Sequence, residues 1–101
     1  MDDRSLYTGL IRLHILHHAA EGPVFGQAMI DELGRHGYRV SAGTLYPILH
    51  GMEAQGYLRS KVNLDGGRSR RVYRATPLGR KALATARNRV RELFGEMFEH
   101  D

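Results

Sequence analysis

The apolar positions of the chain fall into two periods, first helical and then strand-like. Leu6, Leu10 and Leu13, with Ile11, Ile15 and Leu16, recur at helical spacing and lead into Ala19 and Ala20, which predicts a first helix over residues 4–20. Glu21-Gly22-Pro23 ends it, because glycine serves as a C-terminal stop and proline often follows one. Ala28, Met29, Ile30 and Leu33 predict a second helix over residues 26–36, stopped by Gly37. After a short turn at residues 37–41, Leu45, Ile48, Leu49 and Met52 predict a third helix over residues 43–55, with Gly56 at its end. The period then changes. Tyr57, Leu58, Ser60, Val62 and Leu64 alternate imperfectly with Arg59, Lys61 and Asn63, which reads as a strand. Asp65-Gly66-Gly67 suits a tight hairpin turn needing positive φ, and residues 70–75 return as a second strand. Thr76 as cap and Pro77 at the first helical position open a fourth helix over residues 77–99.

This last helix carries Leu83, Ala86, Val90, Leu93 and Met97 at 3-4-3-4 spacing, widened by Phe94 and Phe98. The stripe is too long for a small domain to cover alone. Exposed apolar stripes mark association sites, and heptad-like spacing favours helix pairing. Together with Leu6, Leu10 and Leu13 of the first helix, these residues are expected to form a homodimer interface. The order helix, helix, turn, helix, hairpin, helix is that of a winged helix-turn-helix, an α+β fold that is mainly α. Residues 1–76 would form a DNA-binding domain, and residues 77–101 a dimerisation helix continuous with it.

Composition narrows the partners. The 101 residues suffice for one domain with a modest core, and the absence of cysteine excludes disulfides and thiolate metal sites. No apolar run approaches the roughly 18 residues a membrane span needs, so a cytoplasmic location with no membrane partner is expected. The formal net charge of +4 is unevenly spread. Residues 1–55 and 82–101 are each slightly acidic, while residues 56–81 hold eight Arg and Lys against Asp65 alone. A basic patch so concentrated is the footprint of a polyanion.

The third helix would enter the major groove, which is about wide enough for one α-helix read from its N-terminal end. Ser41, Ala42, Gly43 and Thr44 are small enough to let the backbone approach phosphate, and a helix N-terminus favours an anionic oxygen. Tyr46 can donate its hydroxyl to phosphate, and Arg39 can reach the backbone from the turn. If Ser41 caps this helix, Pro47 lies beyond its first turn and removes a backbone bond; if Thr44 does, Pro47 costs little. In the wing, residues 63–71, Arg68 at the tip leads the candidates, with Arg70, Arg71, Lys61 and Arg59. Alternation sends Arg70 and Arg71 to opposite faces. The expected partner is double-stranded DNA with a palindromic operator, since a two-fold protein presents two reading helices roughly 34 Å apart.

The run Gly43-Thr44-Leu45-Tyr46-Pro47 with Leu49 two residues on, then Glu53-Ala54-Gln55-Gly56-Tyr57-Leu58, resembles the PadR family of bacterial transcriptional regulators. So does Arg70-Arg71-Val72-Tyr73-Arg74-Ala75-Thr76-Pro77-Leu78-Gly79-Arg80-Lys81-Ala82-Leu83. The resemblance covers residues 5–95. It implies a winged helix dimer that usually represses transcription and dimerises through its C-terminal helix, here the short version of that tail. His50 and Gly51 stand where the family often has a polar and a basic residue, and Gln27 where it often has an aromatic one. The chain has no tryptophan, so no ligand can be held by indole stacking.

Other chemistry is weighed on the same residues. His14, His17 and His18, three of six histidines, stand at i, i+3 and i+4 on one helix face and would suit a metal-responsive regulator, although a polar helix face is the simpler reading. A winged-helix protein-interaction module using the basic wing on an acidic partner is a further alternative. No nucleophile–base constellation or phosphate loop marks an enzyme, and no cofactor is expected. A small-molecule effector would sit between the dimer's helices, walled by Leu10, Leu13, Val90, Phe94 and Phe98; constitutive binding without an effector is the alternative.

Overall fold

The computed structural model describes residues 4–99. Their order is α1 (Arg4–Glu21), β1 (Val24–Phe25), α2 (Gly26–Arg35), α3 (Ala42–Ala54), β2 (Leu58–Asp65), β3 (Arg68–Ala75) and α4 (Pro77–Glu99). Residues 1–3 and 100–101, which the expected segments included, lie outside the described residues. The mainly helical α+β fold is as expected, and each helix falls within a residue or two of its expected range. β1 is an addition: Val24 and Phe25 pair antiparallel with Tyr73 and Val72, giving a three-stranded sheet of order β1-β3-β2.

Each helix contributes one apolar face to a single core. Ile11, Ile15, Leu16 and Ala19 of α1 meet Met29 and Leu33 of α2, and Leu45, Leu49 and Met52 of α3. Leu58 and Tyr73 close the core from the sheet. Full burial of a Leu or Ile side chain is worth about 1.5–3 kcal/mol. The spacings i, i+4 and i, i+4, i+7 place these residues over one another on their helices.

Two glycines set the helix exits. Gly37 and Gly56, both at φ 88°, occupy the left-handed region. Behind them Tyr38 N–H donates to the Leu33 carbonyl and Tyr57 N–H to the Met52 carbonyl, each 2.9 Å, the bond that closes a Schellman turn. The turn after Gly56 is held against the start of α4. Thr76 N–H donates to the Tyr57 carbonyl, Thr76 Oγ1 donates to the Gly56 carbonyl, and Gly79 N–H donates to Thr76 Oγ1 at 2.9 Å. At the other end of the hairpin, Gly66 and Gly67 form a two-residue loop at φ 57° and 83°, the signs that match the twist of its strands.

The capping question at α3 resolves toward Ser41. The helix begins at Ala42, and the Ser41 carbonyl accepts the N–H groups of Thr44 and Leu45. Pro47 therefore lies inside the helix and cannot donate to the Gly43 carbonyl.

β2 is an edge strand, and α3 covers its open side. The Glu53 carboxylate accepts Ser60 N–H at 2.9 Å and the Ser60 hydroxyl at 2.8 Å, while Arg71 Nη1 donates to Ser60 Oγ at 3.0 Å. These bonds, the Ser60 hydroxyl first and Arg71 adding to them, hold the Glu53 carboxyl below its ordinary 4.5. A carboxyl depressed in the folded state contributes stability that is present above its unfolded value and is lost as pH falls through the folded one. Glu53→Gln is expected to cost about 1–2 kcal/mol at neutral pH and to lose less stability than the parent between neutral pH and pH 4, read by denaturant melts at both. Parallel pH profiles for the two proteins would contradict this.

α4 leaves the core early. Its 23 residues span about 34 Å, yet only Gly79 and Leu83 are buried. Leu83, expected on the dimer stripe, belongs to the protomer's own core at 7 % exposure, because the start of α4 is the part that packs against α1 and the sheet. Further along, Leu93 and Phe98 are 69 % and 70 % exposed.

Candidate nucleic-acid interface

α3 presents its first turn to the surface. Ser41, Ala42 and Gly43 are exposed and Thr44 half-buried. Ser41 Oγ lies 3.4 Å from Thr44 Oγ1 and makes no capping bond to a helix N–H. A Cβ built on Gly43 would meet nothing nearer than Ser41 Oγ at 3.7 Å, so this turn faces open space. Arg39 is exposed in the connection before it.

Tyr46 ties α3 to α2. Its ring lies so close to Gly26 that a Cβ at that position would collide with the phenol. Gly26 is the first residue of α2, and Phe25 before it has no side chain able to cap the helix. The Tyr46 hydroxyl therefore sits beside free N–H groups at a helix start, where the dipole favours an anion. A cleft of about 260 Å³ joins this corner to the wing, lined by Gly26, Gln27, Tyr46, Ser69, Arg70 and Arg71.

Register sorts the wing's charges. Directly paired residues share a face, and Ser60 pairs with Tyr73 on the face that packs toward α3. Arg59 pairs with Arg74, Lys61 with Val72, and Asn63 with Arg70 on the opposite face, and period two places Arg68 there as well. Five cations thus share one side of the hairpin. The Arg70 guanidinium lies over the Phe25 ring, 4.9 Å from its centroid, a contact that leaves its N–H fork free at the edges. Arg71 goes the other way, to Ser60 and the neighbourhood of Glu53. Arg74 is absent from the sequence-predicted set, although its spacing from Arg70 and Val72 carries the signal. The α2 start is absent too, since nothing in residues 25–28 signals an anion site until Tyr46 is brought against it.

Between α1 and α4 lies an open apolar groove of about 940 Å³, whose walls include Leu6, Leu10, Leu13, Val90, Phe94 and Met97. Ala86 and Leu93 also line it; Phe98, expected among the walls, does not.

The histidines divide differently from their spacing. His17 turns to Glu21, 3.5 Å away, and to Arg87 of α4 at 3.2 Å. His14 and His18 turn toward α2, where Glu32 and His36 join them. The helix face that His14, His17 and His18 share is therefore split: His14 and His18 meet His36 and Glu32, and His17 meets Glu21 and Arg87. The reason is the core face of α1, which sends position 17 toward α4 and positions 14 and 18 toward α2. Burial, and then the neighbouring His18 and His36, hold the His14 pKa below its ordinary 6.5.

Residues 15–85 match the Transcriptional regulator PadR-like family. The transcriptional regulator Rv3488 of Mycobacterium tuberculosis is 54 % identical over 94 residues, covering 93 % of this chain and 88 % of that one. A PadR family transcriptional regulator from Eggerthella lenta superposes with a TM-score of 0.80 at 30 % identity, over 96 % of this chain and 88 % of the other. The PadR of Bacillus subtilis, solved in complex with operator DNA, shares the fold at a TM-score of 0.68 and 16 % identity, over 75 % of this chain and 45 % of that one. No helix among the described residues is long and apolar enough to cross a membrane.

Proposed function

Because the chain belongs to the PadR-like family of transcriptional regulators, we propose that it works as a homodimeric repressor on a palindromic operator. The observation that carries this reading is the cleft joining the α2 start, Tyr46 and the wing. It gathers the start of α2, the Tyr46 phenol and the wing residues Ser69, Arg70 and Arg71 around a space suited to a phosphate group. From that anchor the first turn of α3, with Ser41, Ala42, Gly43 and Thr44, is set to meet base edges in the major groove. The wing face with Arg59, Lys61, Arg68 and Arg70 follows the flanking phosphates. Such contacts position the protein, and the base contacts specify the site.

The exposed stripe of α4 supports the dimer. Leu93, Met97 and Phe98 stand free in a single protomer, and a second copy crossing at α1 and α4 would cover them. An effector held in the groove between those helices would change the spacing of the two reading helices and so release DNA, by binding one spacing better than the other.

The test is binding to a duplex from the promoter of the protein's own gene at about 150 mM salt, a regime in which nonspecific contacts fade. A clear preference over a scrambled duplex of equal composition is expected. The double variant Arg68→Ala/Arg70→Ala should bind 10- to 100-fold more weakly. The dependence of the dimer's log affinity on log salt should flatten by roughly 3.6 units, near 0.9 for each of the four phosphates no longer neutralised in the two half-sites. Equal affinity for the scrambled duplex, or an unchanged salt slope, would move the basic wing to another acidic partner.

A further inference from the structure

We propose that His14, His18, His36 and Glu32 form a binding site for one divalent transition-metal ion of the zinc class, clamping α2 to α1. Three imidazole nitrogens converge on one carboxylate oxygen. The Nε2 atoms of His18, His36 and His14 lie 3.2, 3.3 and 3.8 Å from Glu32 Oε1. In a tetrahedral zinc site with bonds of about 2.0–2.1 Å, ligand atoms stand roughly 3.3 Å apart. The His18 and His36 contacts to Oε1 have the edge length of such a tetrahedron, and the His14 contact, at 3.8 Å, is longer. The rings stack edge to face, with the His14 centroid 4.6 Å from that of His18 and 4.9 Å from that of His36. The ligand atoms of His14, Glu32 and His36 all lie within 4.8 Å of one another, and His18 stands outside that set, reaching it through Glu32 Oε1.

Two further features suit a metal better than a hydrogen-bonded carboxylate. The His14 Nε2 is buried and has no hydrogen-bond partner among the described residues, so an inward-facing lone pair or N–H goes unused. Arg35 takes the other carboxylate oxygen, its Nε 3.0 Å from Glu32 Oε2. That bond leaves Oε1 to the histidines and fixes the carboxylate plane, the supporting role that outer-shell partners play around bound metals. With three imidazoles, one carboxylate and no cysteine in the chain, the donor set selects zinc, cobalt, nickel or copper in the divalent state.

The site lies at the end of α2, next to the turn that leads into α3, and it stands independently of the DNA reading. Its test is titration of the whole chain with Zn²⁺ alone, followed by calorimetry and thermal melting. One ion per chain should bind, the melting temperature should rise because the ion favours the folded state, and Co²⁺ in its place should show the visible absorption of a four-coordinate site. His36→Ala and Glu32→Gln, both changes at the surface end of α2, should each weaken binding at least tenfold, and His17→Ala should leave it unchanged. Absence of saturable binding, or equal loss in His17→Ala and His36→Ala, would overturn the proposal and leave Glu32 as a carboxylate joining two helices. Zn²⁺ binding unaffected by Glu32→Gln would overturn it equally, as an adventitious surface ion.

Discussion

Replacing Gly43 by Asp is expected to abolish operator binding while leaving the fold as stable as before or slightly more so. A side chain at this position meets only open space, with Ser41 Oγ at 3.7 Å the nearest atom. Gly43 is the second residue of α3. Leaving glycine there for another residue gains helix propensity, and an acidic group in the first turn gains from the helix dipole, together about 0.5–1 kcal/mol. The same charge faces phosphate if this turn enters the groove. Like charges about 5 Å apart at an effective dielectric near 20 repel by about 3 kcal/mol, which is more than a hundredfold in affinity. A dimer meets that penalty in both half-sites. Thermal melting and binding to the promoter duplex read the two effects separately. Binding within threefold of the parent would remove the start of α3 from the interface.

Gly79→Ala should have the opposite profile, a large loss of stability from a single methyl group. Gly79 is buried in the first turn of α4, and a Cβ there would collide with the Tyr57 carbonyl oxygen, stand 3.0 Å from its carbon and 3.2 Å from Leu16 Cδ1. The oxygen cannot retreat cheaply, because it accepts Thr76 N–H and so anchors the hairpin turn to α4. Overpacking against fixed backbone costs about 3 kcal/mol or more. The gain in helix propensity, about 1 kcal/mol, does not offset it. A drop in melting temperature of roughly 10–20 °C is expected for a domain of this size. A change of only a degree or two would show that the α4 start and the Tyr57 turn are not held together as described.

These two glycines mark the limits of what the sequence alone conveys. Helix and strand periods located the elements, because Leu45, Leu49 and Met52, or Met29 and Leu33, bury one face by a local rule. Gly37, Gly56 and Gly66-Gly67 were readable as stops and turns because each adopts a positive φ. Gly79 and Gly26 are different. Their φ values raise no flag, and their need for hydrogen in place of Cβ comes from Tyr57 and Tyr46, neighbours distant in the chain. β1 escaped for a similar reason: two residues carry no period, and the strand exists only because β3 offers an edge. Within the apolar stripe of α4, Leu83 and Leu93 look alike, and only packing decides that one is core and the other surface. The histidine spacing on α1 saw one helix, whereas Glu32 and His36 arrive from another. In the wing, alternation separated Arg70 from Arg71, but the pairing register was needed to gather Arg59, Lys61, Arg68 and Arg74 with Arg70 on one face.

The measurement that bears most directly on the two-fold reading is a hydroxyl-radical footprint of the protein on its own promoter duplex at about 150 mM salt. Two protected stretches related by a dyad, with centres one helical turn or about 34 Å apart, are expected from paired α3 helices with their wings outside them. A single protected half-site, or even protection along the whole duplex, would contradict the homodimeric reader.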